Sequence, residues 1–252
     1  MKPIDLNCDM GESFGAWSMG DDAGVMPWIT SANIACGFHA GDFSTMQQTV
    51  QLAKEHGVAI GAHVSLPDLQ GFGRREMKIS PDAAYAFTLY QIGALSAFAR
   101  AAKTRVAHVK AHGALYNMAA RDRKLADAIA SAVRAFDSTL TLFGLADSEL
   151  TRAGESAGLR VAHEAFADRR YESDGELTPR NLPGAVIEDI DTAVAQAVKI
   201  VTSGNVEVRS GGVLAIHADT ICVHGDRPDA ALFARRLHEG LAGAELAIEK
   251  TR

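Results

Sequence analysis

Three basic side chains stand at alternate positions, His108, Lys110 and His112, in the run Val106–His112. Along an extended strand, residues two apart share a face, so these three project together while Val109 and Ala111 point away. Buried cations need anionic company, and the run Ile4–Asp9 offers it. There, strict alternation puts Asp5, Asn7 and Asp9 on one face and Ile4, Leu6 and Cys8 on the other, with Glu12 following within a turn. A lysine in such company either loses its proton through desolvation and serves as acid or base, or keeps its charge and binds a carboxylate or oxyanion. A purely structural ion-pair network is the plainer alternative. For Asp5 a bracing role at the floor of a barrel weighs as much as a chemical one.

Other groups fall where strand-like runs end. Cys36–Asp42 (CGFHAGD) carries His39 and Asp42 between and beside two glycines that let backbone approach a ligand, although Asp42 equally suits the cap of the helix that follows. Gly61–Ser65 ends a run with His63, and Tyr116 and Asn117 add hydrogen-bonding groups just beyond His112. Arg169 and Arg170 follow Asp168, and either could hold a substrate carboxylate in a guanidinium fork or form a surface salt bridge. For His217, His224 and Asp226 a core hydrogen bond or a turn is as good a reading as a site, and Arg74 and Arg75 read as a solvated loop face.

Several motifs fail on context. Gly11–Gly15 fits G-x-S-x-G, but so short a pattern needs a strand–turn–helix elbow around Ser13. No G-x-x-x-x-G-K-[ST] phosphate loop, no complete dinucleotide fingerprint and no H-E-x-x-H occurs, and Asp5–Gly11 places its glycine one position late for a calcium loop. Histidines and carboxylates gathered from separate strands could still bind a divalent metal, because such a site leaves no local spacing.

The elements that must position these residues alternate. Strand-like runs at Ile4–Asp9, Asn33–Gly37, Ala59–Val64, Val106–His112, Thr139–Leu145, Arg160–Phe166 and Val213–His217 are separated by helical stretches at 44–56, 81–103, 122–136, 147–157 and 189–203, with 228–241 closing the series. Alternation of this kind makes a parallel sheet covered by helices. Seven strands over this length predict an irregular closed or nearly closed (β/α) barrel, with a doubly wound open sheet as the alternative. Without linkers, repeats or low-complexity segments, residues 1–252 read as one barrel domain. The polar stretches 65–80 and 168–184 are long enough to serve as lids or partner surfaces.

Composition narrows the function classes. With 25 Lys+Arg against 31 Asp+Glu, the formal charge of −6 gives no footprint for nucleic acid or anionic lipid. Aromatic residues at 6% are too few for a base-stacking platform. No long apolar run or signal peptide is visible, so the expected place is the cytoplasm, with no membrane association. The 3 cysteines are scattered without CxxC spacing, which argues against a disulfide framework and a thiolate zinc site.

Taken together, the blocks Asp5–Glu12 (DLNCDMGE), Ala32–Asp42 (ANIACGFHAGD), Gly61–His63, Val109–Tyr116 (VKAHGALY), Glu164–Tyr171 (EAFADRRY) and Val223–Asp226 (VHGD) resemble the LamB/YcsF family over nearly the whole chain. The resemblance implies a seven-stranded barrel akin to the carbohydrate deacetylase fold. It also implies ATP-dependent opening of the 5-oxoproline lactam to L-glutamate, with this chain as the A subunit of a 5-oxoprolinase and the B and C subunits as its partners. ATP would be the co-substrate, bound by those partners if not by this chain. Under that implication Asp9 or Glu12 positions water as base, His63 and His112 handle protons with His39 beside them, and Lys110 stabilises the oxyanion. Asn7, Asp42, Tyr116, Arg169 and Arg170 are the candidate substrate contacts. A stand-alone metal-dependent deacetylase or amidohydrolase, and a non-catalytic component that binds a small molecule, are the competing readings.

Overall fold

The computed structural model describes residues 3–225 and 227–251; Asp226 lies outside the described residues. The described residues form nine strands and eight α-helices in the order β1 (Asp5–Met10), α1 (Asp22–Val25), β2 (Ser31–Ala35), α2 (Phe43–Glu55), β3 (Ala59–Val64), α3 (Pro81–Ala101), β4 (Val106–Ala111), α4 (Gly113–Arg121), α5 (Arg123–Phe136), β5 (Thr141–Leu145), α6 (Glu149–Ser156), β6 (Arg160–Phe166), α7 (Ile190–Ser203), β7 (Asn205–Glu207), β8 (Val213–Ala215), β9 (Thr220–Val223) and α8 (Ala230–Gly243). Seven of the strands, β1 to β6 and β9, close into a barrel whose every pairing is parallel. The open doubly wound sheet is thereby excluded.

On the barrel strands both faces are largely buried, and the two faces differ in chemistry. Leu6, Cys8 and Met10 on β1 lie at 1% exposure or less in the apolar layer between barrel and helices. The alternate residues Asp5, Asn7 and Asp9 meet polar partners from other strands inside the barrel. Caps start the helices as their sequences suggest. Ser80 accepts from the backbone of Ala83 ahead of α3, Asp122 from Lys124 and Leu125 ahead of α5, and Asp189 from Thr192 ahead of α7.

Two elements depart from the sequence reading. The seventh barrel strand is Thr220–Val223, not Val213–His217; residues 213–215 instead pair antiparallel with β7. Val213 is 62% exposed, whereas all four residues of β9 are buried. The apolar content of 213–217 is thus no mark of the barrel, and four residues covered on both sides carry no alternation to find. The segment after His112, to which the sequence reading gave no element, is helix α4, which turns Leu115 and Tyr116 into the core. Among the described residues, no helix is long and apolar enough to cross a membrane.

Candidate active site

Inside the barrel the polar side chains sit in tiers. At the floor, the Asp5 carboxylate accepts from Ser31 Oγ at 2.6 Å, Thr30 Oγ1 at 2.8 Å and the Thr220 hydroxyl. Burial pushes its carboxyl up while the three hydroxyls pull it down. This is a closed bracing network, with no access to a ligand.

In the middle tier Asn33 donates to Asn7 Oδ1 at 2.7 Å and Asn7 donates to Thr220 Oγ1 at 2.7 Å. His108 Nε2 lies 2.8 Å from Asn33 Oδ1, and its ring stacks on Phe143. Burial pushes this imidazole down to about 3, so it is neutral. Gly61 makes the space: a Cβ there would overlap the His108 ring at Nε2. Asn7, read as a substrate contact, is buried in this tier beneath the cavity.

Lys110 joins the middle tier to the mouth. Its Nζ lies 2.7 Å from Glu164 Oε1, 3.0 Å from Asp9 Oδ1, 3.1 Å from Asn7 Oδ1 and 3.1 Å from Cys222 Sγ. Burial alone would strip its proton, but the Asp9 and Glu164 carboxylates hold the ammonium well above its usual range. Of the two roles open to it, Lys110 therefore takes that of a fixed cation. Burial likewise works against the charge of Asp9, yet His63 and Lys110 hold its carboxyl well below the usual range. Glu164, buried on β6, escaped the sequence reading as a site residue because a single acid in HEAF carries no spacing signal. It is the second counter-charge of the lysine.

At the mouth, four side chains from the ends of strands β1 to β4 converge. His63 Nδ1 donates to the Lys110 carbonyl at 3.2 Å, and its Nε2 lies 3.2 Å from Asp9 Oδ2 and 3.0 Å from His112 Nδ1. His112 Nε2 donates to the Phe72 carbonyl at 2.8 Å. His39 stacks on His112 with centroids 3.8 Å apart, and its Nε2 lies 3.4 Å from Glu12 Oε1. Burial, then the neighbouring imidazoles, push both His39 and His112 well below the usual histidine range. Glu12, His39, His63 and His112 each offer one ligand atom, all within 4.8 Å of one another, so this group could hold a metal ion.

The loop 65–80 covers the cluster. Phe72 (φ 54°) sets its ring edge-on to His39 and His112, and Gly73 is at φ 63° where a Cβ would press on Ser65 and both histidines. Beside it opens a cavity of ≈ 370 Å³, the size of a small-molecule site. Asp9, His63, Lys110, His112 and Tyr116 line it on the side of the cluster, and Arg74, Arg169 and Arg180 also line it, Arg169 itself buried. Burial and the charge of Arg180 bring the Arg169 guanidinium down to about 10, while its N–H groups donate to the carbonyls of Thr178 and Ala185. At the same wall His224 Nδ1 lies 2.8 Å from Asp168 Oδ1, a carboxylate-oriented imidazole.

The convergence does not include every candidate. Arg170 faces a different depression with Thr192, Lys199 and Glu207. Asp42 is the cap of α2, accepting from Thr45 and Gly15 at 2.8 Å each, so turn chemistry accounts for it. Ser13 bonds to Met19 in an exposed turn, not an elbow. His217 is 59% exposed at its side chain beside Asp219.

A model of the LamB/YcsF family matches residues 4–252. The chain is 57% identical over 250 residues to the 5-oxoprolinase A subunit of Bordetella pertussis, covering 99% of each. It is 56% identical over 248 residues to the 5-oxoprolinase A subunit of Bacillus subtilis, covering 98% of this chain and 96% of the relative. The crystal structure of the lactam utilization protein from Thermus thermophilus superposes with a TM-score of 0.94 at 49% identity, covering 100% of both chains.

Proposed function

The chain belongs to the LamB/YcsF family, and from that footing we propose that it opens the lactam of 5-oxoproline to L-glutamate as the A subunit of a multi-component, ATP-dependent 5-oxoprolinase. The single observation that carries this reading is the contact of Asp9 with both the Lys110 ammonium and the His63 ring where the cavity meets the cluster.

A five-membered lactam is a stabilised amide, so its opening needs a polarised carbonyl, a directed water and a proton for the leaving nitrogen. In the cavity, Lys110 supplies a preorganised positive charge for the oxygen that becomes anionic. Asp9, kept ionised, accepts a proton from water, and His63 stands against it to pass that proton on. His112 then serves the ring nitrogen as it leaves. The substrate carboxylate fits beside Arg169 and Arg180, which bring two guanidinium groups to the cavity lining. Tyr116, with its hydroxyl facing Glu164 and its phenol pushed well up by burial, packs the inner wall as a neutral group. In this reading ATP transfers its terminal phosphoryl group to the amide oxygen and leaves as ADP; water adds to the carbon so activated, the C–N bond breaks as the nitrogen takes a proton, and a second water hydrolyses the resulting acyl phosphate to the carboxylate and inorganic phosphate. This chain carries no G-x-x-x-x-G-K-[ST] motif, so the reading assigns ATP binding to the partner subunits, which the assay of separate and mixed components tests.

The test is glutamate release from 5-oxoproline and ATP by this chain, its candidate partner subunits and the mixture. Turnover is expected in the mixture alone, and Lys110→Met is expected to lower it by about 10²–10³-fold, the effect of deleting one preorganised oxyanion donor. Retained turnover in a folded Lys110→Met complex overturns the role of the lysine. Lactam or amide hydrolysis by the chain without ATP or partners would instead mark a self-sufficient amidohydrolase.

A further inference from the structure

We propose that Glu12, His39, His63 and His112 bind one divalent transition-metal ion, of the zinc or cobalt class, at the inner edge of the cavity. Donor arithmetic carries the inference; with the ion bound, His63 and His112 are ligands instead of proton carriers, and Asp9 remains as the base beside them.

A backbone carbonyl only accepts hydrogen bonds. The 3.2 Å contact to the Lys110 carbonyl therefore puts a hydrogen of His63 on Nδ1, and the 2.8 Å contact to the Phe72 carbonyl puts one of His112 on Nε2; in the uncharged rings that metal binding requires, these are the only hydrogens. The remaining nitrogens, His63 Nε2 and His112 Nδ1, are then both lone pairs, and they face each other at 3.0 Å. Anionic oxygens crowd the same spot. Asp9 Oδ2 is 3.2 Å from His63 Nε2, and Glu12 Oε1 is 3.8 Å from His112 Nδ1 and 3.4 Å from His39 Nε2. His39 Nδ1 is buried with no hydrogen-bond partner, so either tautomer of that ring leaves a nitrogen unserved. A single proton on His63 Nε2 would serve one neighbour. A cation among the four takes both facing lone pairs at once.

The groups behind the histidines have the form that metal binding requires. Each imidazole of the facing pair is pinned through its far nitrogen by a backbone carbonyl, which fixes ring orientation and aims the near nitrogen. Three imidazoles and one carboxylate are a borderline-soft set that favours zinc, cobalt, nickel or iron over magnesium or calcium, which prefer all-oxygen shells. His63 and His112 line the cavity whereas Glu12 and His39 lie behind them. A water or substrate oxygen would thus approach the ion from the cavity, beside Asp9. At that place the ion would act as a Lewis acid.

The full chain, stripped with chelator and dialysed, is titrated with Zn²⁺ against a chromophoric competitor and with Co²⁺ in the visible range. One equivalent per chain is expected, with Co²⁺ giving the d–d absorption of a nitrogen-rich site of low coordination number. His63→Gln and His112→Gln, made singly, are each expected to weaken binding ~100-fold or more, and the isosteric Glu12→Gln ~10-fold. His217→Ala, which removes an exposed imidazole elsewhere, is expected to change nothing. The proposal is overturned if the wild-type chain holds no stoichiometric ion, or if folded His63→Gln and His112→Gln chains bind as the wild type does. Because these readouts need no lactam, a chain that binds the ion yet supports no 5-oxoproline turnover would sink the functional reading and leave this site standing.

Discussion

The floor and the mouth of this barrel are built from the same kinds of residue and come to opposite ends. At the floor a buried carboxylate, Asp5, meets three hydroxyl donors that saturate it. At the mouth Asp9, Glu12 and three imidazoles crowd together with acceptors in excess, and buried His39 Nδ1 is left without a partner. A saturated network stabilises and does nothing else. An unsaturated one, opening on a cavity and held in place by packed strands, is poised to take a proton, an ion or a substrate.

The contrast is most sharply broken at its two aspartates. Asp9→Asn is expected to lower turnover of the assembled complex by about 10²–10⁴-fold, the scale of a lost general base, with the barrel still folded. Asp5→Asn is expected to lower stability by roughly 1–3 kcal/mol, since the amide cannot accept from every hydroxyl, while turnover per folded molecule stays unchanged. Denaturant unfolding and steady-state assays on the same two proteins decide this; equal effects on activity would erase the distinction between floor and mouth. Between the tiers, Gly61→Ala drives a methyl into His108 and is expected to cost about 1–3 kcal/mol in overpacking, read as a lower denaturant midpoint. Among the arginines of the cavity, Arg169→Gln is expected to raise KM about 10-fold with a smaller change in kcat, while Arg170→Gln, facing the other depression, leaves both unchanged.

The smallest effect is one of acidity. Between the ordinary histidine value near 6.5 and about 3, the unfolded chain takes up a proton at His108 and the folded chain does not. Stability therefore falls as pH falls through that window. Thermal unfolding followed from about pH 7 to pH 5 should show the decline, and His108→Gln should make it shallower.

Much of this was legible because parallel strands write their polar faces plainly. Asp5, Asn7 and Asp9, and His108, Lys110 and His112, share faces by alternation alone, and the structure turns both faces inward. Stretches 65–80 and 168–184 stood out by length and polarity as lids or partner surfaces, and residues of both line the cavity. What escaped were partners that only tertiary structure supplies. Glu164 has no sequence relation to Lys110, the Asp168–His224 pair joins residues 56 apart, and the carbonyls of Phe72 and Lys110 that orient two histidines are backbone atoms without a signature. The closing strand Thr220–Val223 was missed because its four residues are covered on every side, while the more apolar run 213–217 lies on a peripheral hairpin. Arg170 was misplaced because adjacent residues on an irregular segment face different ways, which no pattern of spacing records.

Strand β9, the last in order among the described residues, is also the one that shuts the ring, with β1 on one flank and β6 on the other. During synthesis on the ribosome, a chain that has emerged only as far as Asp219 must wait with two open strand edges. Its future ammonium centre still lacks Cys222. Such a species is sticky along its backbone and half assembled in its electrostatics. Vectorial folding of this protein therefore waits on residues that emerge late, and a premature stop upstream of Thr220 would yield a ribbon prone to pair with its own kind, without a working cavity.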